Sequence, residues 1–236
     1  MEKEILFRQI ILVTDGESNI GGDPIQMATE ISKDGINIST IGIIDKTSKE
    51  DSLLEVNKIA DCGNGICEIT EIFNLQQTME LVTQKSIHRT IETAVNNELK
   101  SILNKDMDDI HPTSRDRIIK LIDDFSDKMN LKCIVLLDCS KSMNNKIEIA
   151  KQSIVNLLNI LSKREGKSKI SVIGYPNGNV GYYNIISDFT EDFHELESKL
   201  KNVKVSGMTP TAKALEVAYT ILTEKAEESN IESYIV

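Results

Sequence analysis

Residues 8 to 14 (Arg-Gln-Ile-Ile-Leu-Val-Thr) and 131 to 137 (Leu-Lys-Cys-Ile-Val-Leu-Leu) are short apolar runs rich in β-branched side chains, and each stops at an aspartate, Asp15 and Asp138. Runs this short and this apolar suit strands buried on both faces, which occur in sheets covered by helices on either side. The first half of the chain alternates accordingly. Pro24 opens a helix with Met27, Ala28 and Ile31 on one side, Asp34-Gly35 closes it, and residues 36 to 44 give a second strand. Ser48 with Asp51 resembles a capping box for a helix over 53 to 60, and a Gly-Asn-Gly turn at 63 to 65 leads to a third strand near 66 to 70. Asn74 and Gln77 then predict the cap of a long helix carrying Leu75, Met79, Val82, Ile91, Val95, Leu99 and Ile102. The order βαβαβα favours a parallel sheet flanked by helices.

Residues 104 to 112 are polar and contain His111-Pro112, which predicts a loop, and Ile118, Leu121, Ile122, Phe125 and Met129 outline an amphipathic helix after it. This bridge reads as a connector packed on the domain surface, with a dedicated partner-binding helix as the alternative. After strand 131 to 137, a helix over 145 to 163 places Ile147, Ala150, Ile154, Leu157, Leu158 and Leu161 on one face. Strands at 169 to 175 and 180 to 186 flank Pro-Asn-Gly-Asn, whose turn residues predict an antiparallel hairpin. A helix near 191 to 201 follows, then Ser206-Gly207-Met208-Thr209-Pro210, then a helix with Ala214, Leu215, Ala218, Ile221 and Leu222 facing inward and Pro210 in its first turn. Residues 232 to 236 (Glu-Ser-Tyr-Ile-Val) read as a strand begun and not finished.

Charge narrows the function classes. A formal net charge of −10 without clustered Lys and Arg argues against nucleic acid or an anionic membrane as partner, and leaves cation binding open. With 40% hydrophobic residues, four prolines and no low-complexity run, the chain reads as globular. No stretch approaches the roughly 20 apolar residues of a membrane span, and the first residues lack a secretory apolar core, so a cytoplasmic location is expected. Cysteines at 62, 67, 133 and 139 are expected to be reduced; Cys62 and Cys67 also suit a redox pair or half a zinc site, and Cys133 reads as core. His88, His111 and His194 share no motif.

Asp138-Cys139-Ser140-Lys141-Ser142 puts one carboxylate and two hydroxyls on the turn that leaves a buried strand. All three offer oxygen, the donor that hard cations such as Mg²⁺ prefer, and a site of hydroxyls and water-bridged carboxylates keeps a metal position open to an outside carboxylate. Taken alone, the same residues more often make a helix cap.

The pattern resembles the DxSxS of the metal-ion-dependent adhesion site in von Willebrand factor A domains. Ser-Gly-Met-Thr209-Pro-Thr211, about 70 residues later, looks like the family's threonine loop, with Thr209 the matching ligand and Thr211 a weaker candidate. Ile-Ile-Leu-Val-Thr-Asp15-Gly16 looks like the family's fourth strand with its metal-site aspartate, although here it opens the chain. The resemblance therefore implies a circularly permuted domain: residues 1 to 103 correspond to the family's C-terminal half, 104 to 130 form the bridge, and 131 to 236 correspond to its N-terminal half. It further implies an α/β, doubly wound, mostly parallel six-stranded sheet with one antiparallel edge strand. The family's sheet order sets strands 8 to 14 and 131 to 137 side by side at the switch point, where such folds place ligands. Domains with neighbouring termini tolerate such a permutation.

By the same resemblance, Ser140, Ser142 and Thr209 contact a divalent ion, Mg²⁺ or Mn²⁺, while Asp138 and Asp15 hold it through water. The arrangement is also similar to a group of permuted A-domain proteins from spore-forming Gram-positive bacteria, which implies a sporulation context and a protein kinase nearby, while the resemblance to intracellular members of the family implies an adaptor role beside an ATPase. The leading expectation is a non-enzymatic module that binds an unidentified protein through its acidic side chain. An architectural protein whose unfinished strand joins another chain's sheet edge is the alternative. A phosphohydrolase using Asp138 as nucleophile is disfavoured, because no general base is evident nearby.

Overall fold

The computed structural model describes residues 6–45, 50–105, 107–178 and 181–231. Its strands are β1 (Leu6–Thr14), β2 (Asn37–Ile44), β3 (Asn64–Glu71), β4 (Asn130–Asp138), β5 (Ser168–Tyr175) and β6 (Asn184–Thr190). They form one six-stranded sheet in the order β3-β2-β1-β4-β5-β6. Every neighbouring pair is parallel except β5 and β6. The alternation read from the sequence thus gives the α/β, mostly parallel sheet with one antiparallel edge.

The helices are α1 (Pro24–Ser32), α2 (Glu50–Cys62), α3 (Leu75–Leu103), α4 (Pro112–Lys128), α5 (Ile147–Leu161), α6 (Phe193–Leu200) and α7 (Thr211–Ile231). Period-two alternation within the apolar strands sorts their side chains into two cores. On β4, Leu131, Cys133, Val135 and Leu137 join one cluster with residues of α3, α4, α5 and α6. Ile134 and Leu136 join the other, with Ala28 and Ile31 of α1, Ile59 of α2, and Ala214, Leu215, Ala218 and Leu222 of α7. Each fully buried Ile or Leu contributes about 1.5–3 kcal/mol, so the two layers hold the central strands firmly from both sides.

This layering positions the site. The connection from β1 to β2 runs over the α1–α2 face, whereas that from β4 to β5 runs over the α5 face. The chain therefore leaves the adjacent C-terminal ends of β1 and β4 in opposite directions, and a crevice opens between the two turns, the switch point of a doubly wound sheet.

Several elements depart from expectation. The hairpin strand lies at Asn184–Thr190 rather than 180 to 186. The turn is longer than Pro-Asn-Gly-Asn: an Asn177–Gly181 bridge and Gly178 at φ +58° carry the chain further before pairing resumes with Gly174 opposite Asn184. Helix α5 starts at Ile147, because Lys141–Asn145 wind as a 3-10 turn. Asn74 makes no side-chain cap for α3, whose start continues a 3-10 turn at Ile72–Asn74. Asp23 caps α1 instead, accepting from the amides of Ile25 and Gln26, with Pro24 in the first turn. Pro210 stands just before α7 rather than within it. The bridge helix packs on α3 through buried Ile122 and leaves Leu121 and Phe125 about half exposed. The Ser48 capping signal and the strand-like residues 232 to 236 lie outside the described residues. All four cysteines are free. Among the described residues, no helix is long and apolar enough to cross a membrane.

Candidate metal centre

Parallel pairing of Val13 with Leu137 sets the ends of β1 and β4 level, so Thr14 and Asp138 fall side by side although 124 residues separate them. The Thr14 hydroxyl donates to Asp138 Oδ2 at 2.6 Å, and the Ser140 amide donates to Asp138 Oδ1 at 2.8 Å. Asp138 has no exposed surface. Burial pushes its carboxyl up to about 6, with the Asp15 charge adding to the rise, while the hydrogen bonds from Thr14 and Ser140 pull it back down.

From Asp138 the polar groups step outward. Ser140 is buried, and its hydroxyl lies 2.9 Å from that of Ser142, which is exposed. The Ser142 hydroxyl donates to Asp15 Oδ1 at 2.7 Å. Asp138, Ser140, Ser142 and Asp15 thus form one connected set, drawn from both halves of the chain. Thr209 joins through its backbone: its amide donates to Asn19 Oδ1 at 2.9 Å, and its carbonyl accepts from the Asn19 amide at 3.2 Å and the Ser18 hydroxyl at 3.3 Å. The threonine loop is therefore fastened to the loop that carries Asp15. Gly207 makes that approach possible, since its φ of +74° and the Pro176 side chain 3.0 Å from where a Cβ would sit leave no room for another residue. Thr211 is buried at the start of α7, with its hydroxyl beside that of Tyr175.

Five neighbours escape the sequence reading. Thr14 holds Asp138. Lys146, just before α5, places its ammonium 2.6 Å from Asp15 Oδ2 and also ion-pairs with Asp45. Burial alone lowers the Lys146 ammonium, but its hydrogen bonds with Asp15 and Asp45 outweigh that and raise it, so it stays charged. Glu55 of α2 accepts from the Ser18 amide at 2.7 Å and steadies the Asp15 loop. Tyr175 is fully buried beside the hydroxyls of Thr14 and Thr211, yet its own hydroxyl makes no hydrogen bond of ordinary geometry. Asp45 had a signal: it follows β2 as Asp15 follows β1 and Asp138 ends β4.

The donor set is oxygen throughout, and a hydroxyl pair in contact beside two carboxylates fits a hard divalent cation. Among the described residues, no three of His, Cys, Asp and Glu gather as they would to hold a metal. The histidines stand elsewhere: His88 on α3 faces Glu92 and Asp123, His111 caps α4, and His194 lies on α6. Cys133 and Cys139 are buried thiols pushed up to about 12 and inert as ligands.

Residues 8–87 and, separately, residues 133–236 match the von Willebrand factor type A domain, and the chain belongs to this family. The YabS protein of Bacillus subtilis (strain 168) is 31% identical over 220 residues, covering 92% of this chain and 89% of its own length. YwmC of the same organism is 35% identical over 78 residues, 33% of this chain and 32% of that protein. The crystal structure of an uncharacterized protein from Alicyclobacillus acidocaldarius superposes with a TM-score of 0.87 at 30% identity, over 95% of this chain and 97% of that one.

Proposed function

We propose that this chain is a non-enzymatic, metal-dependent protein-interaction module. Ser140, Ser142 and Thr209 hold Mg²⁺ or Mn²⁺ directly, Asp138 and Asp15 hold it through water, and an open position on the ion takes an Asp or Glu of a protein partner. The observation that carries the reading is the hydrogen-bonded series Asp138–Ser140–Ser142–Asp15, an oxygen-rich crevice assembled from two distant segments and opening to solvent at Ser142. The bound ion supplies a Lewis-acidic site for the partner carboxylate; the protein fixes the hydroxyls that face it and keeps both carboxylates poised behind them.

The same reading takes the chain as a circularly permuted domain. Its support is the adjacency of β1 and β4 together with two separate family matches, at 8–87 and at 133–236, that flank the bridge. A non-catalytic role draws support from Asp138, whose two oxygens are both hydrogen-bonded and have no exposure, a poor setting for a nucleophile. A sporulation role and an ATPase or kinase companion belong to the proposal through family resemblance alone; a cytoplasmic setting belongs to it as the sequence-based expectation.

Calorimetric titration of Mg²⁺ and Mn²⁺ into the protein, Asp138→Ala and Asp15→Ala tests it. One ion per chain, lost in both variants, is the expected result. No binding by the unaltered protein removes the metal reading, and binding that survives Asp15→Ala removes the shared site.

A further inference from the structure

We infer that Lys146 is a built-in counter-cation of this site, one that holds Asp15 in place without metal and at the same time weakens the site's grip on a divalent ion. The inference rests on the metal reading above. Asp15 is shared: Oδ1 accepts from Ser142, and Oδ2 takes the Lys146 ammonium at 2.6 Å. The ammonium is therefore one carboxylate away from the paired serine hydroxyls. It is also held firmly, because the Lys146 side chain is only 11% exposed, that of Asp15 is 0% exposed, and Asp45 grips it from the end of β2.

Two consequences pull in opposite directions. Without the ammonium, the buried Asp15 carboxylate and the exposed Asp45 carboxylate would be left as neighbouring like charges, so Lys146 preforms the crevice. With it, half of the Asp15 charge is already spoken for, and a fixed positive charge stands near any cation that enters. A single charge within about 4–6 Å moves a proton equilibrium by one to three powers of ten. A doubly charged ion feels such a neighbour at least as strongly. The result is a site assembled before metal arrives but holding it loosely, so that a partner's carboxylate contributes a large share of the hold.

The distinguishing experiment is calorimetric titration of Mn²⁺ alone into the protein, Lys146→Met and Asp45→Asn, with thermal melts in chelator and in Mn²⁺. Lys146→Met keeps the length of the stem and removes only the charge. It is expected to bind Mn²⁺ about tenfold more tightly or better, to melt lower than the unaltered protein in chelator, and to recover in Mn²⁺. Asp45→Asn, which leaves the ammonium to Asp15 alone, is expected to bind several-fold more weakly. A purely structural lysine would make both variants bind more weakly, and equal or weaker binding by Lys146→Met overturns the inference while the metal reading stands. Absence of binding by all three proteins overturns both. Should Lys146→Met lose its far-ultraviolet helical signal, Lys146→Gln carries the same prediction with a polar end to the side chain.

Discussion

Asp138→Asn is expected to stabilise the metal-free protein at neutral pH while removing the proposed metal site. The carboxyl of Asp138 is pushed from an ordinary 3.8 up to about 6 by burial, and that difference sets about 3 kcal/mol against the ionised fold. The sign follows from linkage. Folded protein keeps this proton up to about pH 6 while unfolded chain releases it near 3.8, so the folded state binds more protons in between. The favourable contribution is whole below about 3.8 and is lost as pH rises through 6. Asparagine never ionises and escapes that loss. Its geometry is also tolerable, since Oδ1 still accepts from the Ser140 amide, and the Thr14 hydroxyl can accept from the new amide while turning its proton to the Gly16 carbonyl 3.1 Å away. Allowing for a poorer fit, about 2 kcal/mol should remain at pH 7.5, roughly 4–8 °C of melting temperature for a chain of this length.

Urea unfolding in chelator at pH 4, 5, 6 and 7.5 reads this as a difference between the two proteins, in which all other titrating groups cancel. The gap should be near zero at pH 4, open between pH 4 and 6, and level off above. A variant less stable than the unaltered protein at pH 7.5, or a gap independent of pH, refutes the reasoning.

Other outcomes follow from particular contacts. Thr14→Val keeps shape but removes the donor to Asp138 Oδ2; it should cost about 1.5–3 kcal/mol at pH 7.5 and less at pH 4, by the same urea titrations. Arg164 donates to the carbonyls of Ser126 and Met129 and, at 2.9 Å, to the Ser168 hydroxyl, pinning the end of α4 to β5. Arg164→Met should cost about 2 kcal/mol in unfolding free energy and speed amide exchange near residues 126 to 131. At Gly65 an added Cβ would stand 1.9 Å from the Ile38 carbonyl oxygen, so Gly65→Ala should destabilise by about 3 kcal/mol, and an unchanged urea midpoint would contradict the close approach of β2 and β3.

What the sequence made legible was whatever depends on local pattern. Apolar runs of seven marked β1 and β4 because both faces of those strands are covered, and helix periodicity found α3, α5 and α7 because one stripe of each meets the sheet. Boundaries set by turn geometry were missed: β6 slipped by four residues, and α5 starts two residues late behind a 3-10 turn. In the candidate site, Asp138, Ser140 and Ser142 stand out as alternate oxygen donors on one turn. Lys146 and Asp45 do not, because an isolated lysine ahead of a helix and an aspartate after a strand are ordinary surface residues until the fold brings them to Asp15. Thr14 was read as the end of an apolar strand, and its role exists only through a partner 124 residues away.

That distance bears on why a costly carboxylate sits at the centre of the sheet. β1 and β4 supply both the most buried strands and the two aspartates, so the pairing that completes the core also assembles the site. Ionised Asp138 works against that pairing by about 3 kcal/mol at neutral pH. An ion bound only by the folded state, at a hundred times its Kd, returns about 2.7 kcal/mol. The two terms nearly cancel, so on the proposed reading the strain is visible only in the metal-free protein. The Asp138→Asn advantage measured in chelator should therefore shrink toward zero as Mn²⁺ is raised to a hundred times the Kd of the unaltered protein. An advantage that persists undiminished at that concentration would mean that the buried carboxylate serves something other than a cation.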